Sequence, residues 1–170
     1  MSDAALSNPR TLREYRSLLA SIAVCQAAGG VGVVFTSESV RTWYPTLRKP
    51  SFNPPSWVFG PVWTILYLLM GISLFLTRRA RQEGRQPATA VPVFAVQLVL
   101  NSLWSFLFFR LRSPGAALVE IVILWAAIAL TVRATYKLSK VAALLLLPYL
   151  LWTSFAAALN FSIWRLNRTS

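Results

Sequence analysis

The chain has no histidine and a single cysteine, Cys25, and only five of its 170 residues are acidic. Missing histidine removes the usual general base and the commonest transition-metal ligand, and one thiol cannot form an internal disulfide. Hydrolytic triads, Cys–His pairs and Cys/His metal sites therefore have no candidates. Glu120 is the one acid inside an apolar run. With no second carboxylate beside it, a proton relay has nothing to run on. No internal repeat is evident, which counts against the inverted-repeat transporter architectures.

What the chain has instead is apolar length. Of its residues 56% are hydrophobic, the mean hydropathy is +0.55 and the net charge is +12. Five runs, at about 17–36, 57–77, 90–109, 114–133 and 141–164, are each long enough to cross a hydrocarbon core of about 30 Å. Backbone polar groups find no water in lipid, so the predicted fold is an all-α, five-helix membrane bundle. Residues 1–16 are polar and precede a run too long for a cleaved leader. They read as an N-terminal tail on a retained first span, with the membrane domain covering 17–167.

The 17 Lys and Arg residues lie almost wholly between the runs. That placement fits membrane lipid headgroups and topology, and not nucleic acid. Five spans put the termini on opposite sides, with ten basic residues on the N-terminal side and seven on the other. The positive-inside rule then sets the N-terminus in the cytoplasm.

The first connection carries most of the signal. Residues 43–63 read WYPTLRKPSFNPPSWVFGPVW, with prolines at 45, 50, 54, 55 and 61 and six aromatic rings around Arg48 and Lys49. Proline fixes φ and removes amide donors, so the segment is predicted to be a stiff, non-helical cap as far as Trp57, with Ser56 as the helix N-cap. Trp43, Tyr44, Trp57 and Phe59 suit an interfacial aromatic belt or the underside of a lid. A belt has no need of five prolines.

Polar side chains within apolar runs are costly and so informative. Gln97 and Asn101 are four apart in the third run, and Trp104 and Ser105 continue that face; Tyr149, Trp152, Ala156 and Asn160 recur at helical spacing in the fifth. Interhelical hydrogen bonds and pocket walls are both consistent with this spacing. Glu120 is expected to snorkel or to pair with Arg110 or Arg112. The stretch AAGGVGVV, with Cys25/Gly29 and Ala28/Gly32 four apart, predicts close helix packing within the bundle or a dimer. A tryptophan-lined cavity with few amides suits a large, flat, mostly apolar ligand, with Arg48 and Lys49 as an anchor for its carboxylates.

The segments WYPTLRKPSFNPPSWVFGPVWTILY, LNSLWSFLFF and PYLLWTSFAAALNFSIWRLN, with an acid early in the fourth run, resemble the TspO/MBR family. These are the translocator proteins once called peripheral-type benzodiazepine receptors, and the chain resembles a bacterial member. The resemblance implies tilted helices around a pocket closed by the first loop, usually as a homodimer. It implies porphyrins such as protoporphyrin IX and haem as ligands, beside other hydrophobic small molecules, with no required cofactor. It carries over Trp43 and Tyr44 as loop aromatics, Trp63 as the pocket tryptophan, Asn101 as a polar contact and Trp152 with Ala156 as a wall. Leu159, Phe161 and Arg165 keep the frame of the animal sterol-recognition pattern without its aromatic hydroxyl, which counts against sterol.

Three functions fit these expectations. The first is a receptor and carrier for tetrapyrroles. The second is light- and oxygen-dependent porphyrin degradation through Trp43 and Trp63, the one enzymatic possibility. The third is a stress sensor that signals ligand occupancy to a protein partner. A bacterial cell envelope membrane is expected in preference to the mitochondrial outer membrane.

Overall fold

A computed structural model describes residues 9–168. Among them are five helical spans long and apolar enough to cross a membrane, and no strand. The elements are α1 (Pro9–Thr42), α2 (Ser56–Gln82), α3 (Ala90–Ser105) continued by a π-helical turn (Phe106–Arg110), α4 (Pro114–Tyr136), and α5 (Lys140–Leu144) with α6 (Leu147–Asn167) as the fifth span. The chain is thus a five-helix membrane bundle.

Helix α1 outruns the expected 17–36 at both ends. Hydropathy marks only the part that lipid surrounds, and the helix continues where water and headgroups can solvate charged side chains. The tail expected over 1–16 is helical from Pro9, and the rest of it lies outside the described residues. Glu14 in this extension meets Arg79 at 3.5 Å, tying the start of α1 to the end of α2.

Ser56 is not the cap expected of it. Pro55, with φ −55° and ψ 141°, takes the cap position without a side-chain hydrogen bond, and Ser56 is the first helical residue. The Pro54–Pro55 pair holds the chain extended up to that point, which leaves Ser56 free to begin the helix. After α2, Gly84 adopts φ +83°, where a side chain would be strained, and the Arg85 amide closes the helix on the Ala80 carbonyl at 3.2 Å.

The fifth span is broken between Leu144 and Leu147. Pro148 has no amide to offer the Leu144 carbonyl. Ser73 Oγ reaches across from α2 and donates to the Ala142 carbonyl at 2.8 Å, and Ser139 Oγ accepts from the Ala142 amide at 3.3 Å. Irregular backbone at this depth is tolerated because neighbouring side chains satisfy it.

One core joins all five spans through Cys25, Tyr67, Met70, Phe94, Leu124 and Tyr149. Its tightest seam is between α1 and α2. A Cβ on Gly29 would lie 2.5 Å from the Tyr67 ring, and one on Gly71 would lie 2.6 Å from the Ile22 Cα. Gly29 of AAGGVGVV thus serves close packing inside the bundle. Glu120 departs from expectation: it is buried with Ala117, Ile121 and Leu124 on the inward face of α4, and its carboxylate has no hydrogen-bond partner. Arg110 is exposed and pairs with Glu38 at 3.7 Å instead.

Candidate ligand-binding pocket

The end of the bundle that carries the first loop encloses a cavity of about 600 Å³, within the usual span for small-molecule sites of about 300–1,000 Å³. Space for it comes from α1, whose cavity face bears Gly29, Gly30 and Gly32 before Val33. A Cβ on Gly30 would meet nothing within 4 Å.

Tryptophans and phenylalanines make the walls. Phe59 and Trp63 come from one face of α2, and Phe59 meets Trp152 of α6 edge-on at 5.9 Å. Trp63 leans on Tyr67 at 5.5 Å and stands edge-on to Tyr149 at 6.2 Å. On the opposite side Trp104 stacks on Phe108 at 5.2 Å. Its indole Nε1 donates to Asn160 Oδ1 at 3.1 Å, and Asn160 Nδ2 donates to the Pro114 carbonyl at 2.8 Å. The Trp104 ring is therefore fixed in plane as well as position. Ala156 lies between Trp152 and Asn160 on α6 and leaves the volume open.

The floor is a polar strut. Tyr67 Oη donates to Asn101 Oδ1, and Asn101 Nδ2 donates to Tyr149 Oη at 2.9 Å. Both ends of the amide are consumed by phenols on α2 and α6. In lipid an unpaired amide or hydroxyl is costly, so this chain of bonds locks three spans together.

The π turn brings Phe108 and Phe109 to the cavity side by side, 4.8 Å apart and edge to face. Its wide ring is closed by the Leu111 amide on the Phe106 carbonyl at 2.9 Å, and Ser39 Oγ donates to the Phe109 carbonyl at 2.6 Å. Such turns cost regular hydrogen bonding and cluster at functional sites.

The loop is fastened rather than draped. Tyr44 is buried with its Oη donating to Asn53 Oδ1 at 2.7 Å, and Asn53 Nδ2 donates to the Pro54 carbonyl at 3.0 Å. Burial raises the Tyr44 phenol above its ordinary pKa, and the bond to Asn53 offsets part of that rise. Asn167 at the end of α6 grips the Arg48 backbone twice, accepting from its amide at 3.0 Å and donating to its carbonyl at 2.9 Å.

A bundle of this architecture, with a proline-stiffened loop over a tryptophan-walled cavity, can be compared with known proteins. The model of the TspO/MBR family matches residues 21–165. The chain belongs to the TspO/MBR family. A protein named Tryptophan-rich protein TspO in Chlorobaculum tepidum is 46% identical over 155 residues, 91% of this chain and 98% of the relative. One of the same name in Archaeoglobus fulgidus is 50% identical over 152 residues, 88% of this chain and 96% of the relative. The human Translocator protein is 41% identical over 139 residues, 81% of this chain and 82% of the relative. Family and apolar spans together make this a multi-pass membrane protein.

Of the residues expected at the TspO/MBR pocket, Tyr44, Trp63, Asn101, Trp104, Trp152 and Ala156 border the cavity. Tyr149 stands behind the floor, bonded to Asn101. Trp43 faces away: it packs on Phe108 at 5.8 Å and borders a shallow depression with Trp164 and Arg168. Gln97 is buried elsewhere in the core with both amide atoms unpartnered. Arg48 and Lys49 do not border the cavity. Lys49 Nζ turns back over the Tyr44 ring at 4.9 Å and donates to the Pro45 and Leu47 carbonyls at 3.2 and 3.0 Å. Arg41 and Ser37 border it without having been singled out in the sequence, and Ser56, expected only as a helix cap, borders it too. Ser37 and Arg41 are one helical turn apart, so extending α1 past 36 would have brought both onto its glycine face.

Proposed function

We propose that this TspO/MBR protein is a membrane receptor and carrier that binds tetrapyrroles, protoporphyrin IX and haem, and similar amphipathic molecules without covalent chemistry. The observation that supports this most is the cavity itself: flat aromatic walls from Phe59, Trp63, Trp104 and Trp152, around a floor whose amide already has its partners. Such a surface favours a broad, planar, mostly apolar guest. The names of the relatives, Tryptophan-rich protein TspO and Translocator protein, agree with a receptor or carrier role. Residence in a bacterial cell envelope membrane, as a homodimer, belongs to the same reading; light scattering in detergent tests the dimer.

The test is titration with protoporphyrin IX in the dark, followed by tryptophan quenching, on wild type, Trp63→Ala and Trp152→Ala. Saturable binding that either variant weakens at least about tenfold, about 1.4 kcal/mol, supports the pocket. Equal quenching in all three proteins refutes it.

A second reading, porphyrin oxidation by dioxygen under light, is favoured by the ring contact of Trp63 with Tyr67 at the cavity edge, 5.5 Å between centroids. Because Trp43 lies outside the cavity, this reading requires product formation to fall in Trp63→Phe and to persist in Trp43→Phe. Loss in neither variant, or in Trp43→Phe alone, removes it.

A further inference from the structure

Polar groups around the cavity fall into two sets. Deep in the bundle they are spent on the protein: Asn101 joins two phenols, and Asn160 joins Trp104 to the Pro114 carbonyl. At the loop end three of them are open. Arg41 is the one formally charged residue bordering the cavity among the described residues, and it makes no ion pair or hydrogen bond there. The acid three residues before it, Glu38, is engaged by Arg110. The hydroxyls of Ser37, one turn before Arg41, and of Ser56, across the mouth, also lack partners. Ser56 begins α2, whose first turn has no side-chain cap. The N-terminal turn of α2, the positive end of that helix, therefore borders the same cavity as Arg41.

We infer that Arg41, with Ser37 and Ser56, is an acid-binding subsite that makes the pocket select ligands bearing a carboxylate. The acid sits at the loop end while the flat apolar body fills the aromatic chamber. Arg41 suits this role because its planar fork gives two parallel N–H donors to one carboxylate, at a mouth where the ligand itself shields the pair from water. Its place in the last turn of α1 also sets its charge at the negative end of that helix. The inference rests on the receptor reading for the body of the ligand, and it replaces Arg48 and Lys49, whose side chains lie off the cavity.

The experiment compares an acid with its ester. Protoporphyrin IX and its dimethyl ester are titrated in the dark into wild type, Arg41→Gln and Arg41→Lys in a neutral maltoside detergent, where no lipid phosphate competes. Pyrenebutyric acid and its methyl ester form a second pair that lacks the macrocycle. Wild type is expected to bind each acid about tenfold or more tighter than its ester. Arg41→Gln is expected to bring the acid-to-ester ratio close to one, with ester binding that still saturates showing that the variant is folded, and Arg41→Lys to keep part of the preference. An acid-to-ester ratio that is the same in wild type and Arg41→Gln overturns the subsite. Pyrene selectivity without any saturable porphyrin binding overturns the tetrapyrrole reading and leaves the subsite standing. Failure of both pairs to saturate overturns both.

Discussion

Asn101→Ala separates a strut from a ligand contact. Asn101 is almost fully buried and is the shared partner of Tyr67 and Tyr149, both also buried. Removing the amide leaves two phenol oxygens facing apolar side chains. Each buried polar group left unpaired costs about 1–3 kcal/mol, so the pair amounts to about 2–6 kcal/mol. Hydrogen bonds inside membrane proteins average only about 0.6 kcal/mol, which sets a floor of about 1.2 kcal/mol for the two. Either bound exceeds the scatter of an unfolding experiment in mixed micelles. The assay is reversible SDS unfolding of wild type, Asn101→Ala and the triple variant Tyr67→Phe, Asn101→Leu, Tyr149→Phe. The triple variant removes all the polar atoms together, and it is expected to recover most of the stability that Asn101→Ala loses. A variant Asn101→Ala within about 0.5 kcal/mol of wild type, but tenfold weaker for porphyrin, would refute the strut and make Asn101 a ligand contact.

Gly71→Ala sets a Cβ against the Ile22 backbone, which cannot swing aside, and should cost about 1–3 kcal/mol in the same assay. Gly30→Ala meets nothing within 4 Å, so it should unfold like wild type while weakening porphyrin binding by taking cavity volume; a folding defect there would contradict the packing described. Glu120→Met exchanges an unpartnered buried carboxyl for an apolar side chain of similar length and should raise the melting temperature. A lower melting temperature would mean that Glu120 has a partner. The Tyr44 phenol, raised by burial, contributes stability that is present below its unfolded pKa of about 10 and is lost as pH rises through the folded value. Wild type should therefore lose melting temperature relative to Tyr44→Phe as pH rises above about 10; parallel curves would refute the linkage.

Hydropathy made the five spans legible because lipid imposes the same demand on every one of them. It did not give their ends. Arg10, Arg13 and Glu14 are helical although no apolar window includes them, and so are Glu38 and Arg41. That error hid the charged edge of the pocket. Helical spacing was enough to put Trp104 with Asn101, and Trp152 with Ala156, on common faces, and the cavity borders both. Spacing could not say that Gln97 turns from that cavity, since it is one turn deeper than Asn101 and both sit on the buried side of α3. Loop direction was not legible either. Arg48 and Lys49 are held off the cavity by Asn167, far along the chain, and by the carbonyls of the Tyr44–Thr46 turn. The π turn is likewise a tertiary feature: FLFFR contains no helix breaker, and the Ser39 hydroxyl that takes the Phe109 carbonyl comes from α1.

The division of polar groups in the pocket follows from the solvent at each depth. Where lipid and core surround Asn101 and Asn160, any donor left open would cost several kcal/mol whenever the pocket is empty. Selection for stability without ligand therefore favours amides that are already paired. At the mouth, water solvates Arg41, Ser37 and Ser56, so open donors cost little there and remain available to a guest. A site of this kind can recognise a polar group only at its rim, and recognises the remainder of its ligand by shape and ring contact. Broad tolerance in the body of the ligand and strict chemistry at one edge are then two results of the same constraint.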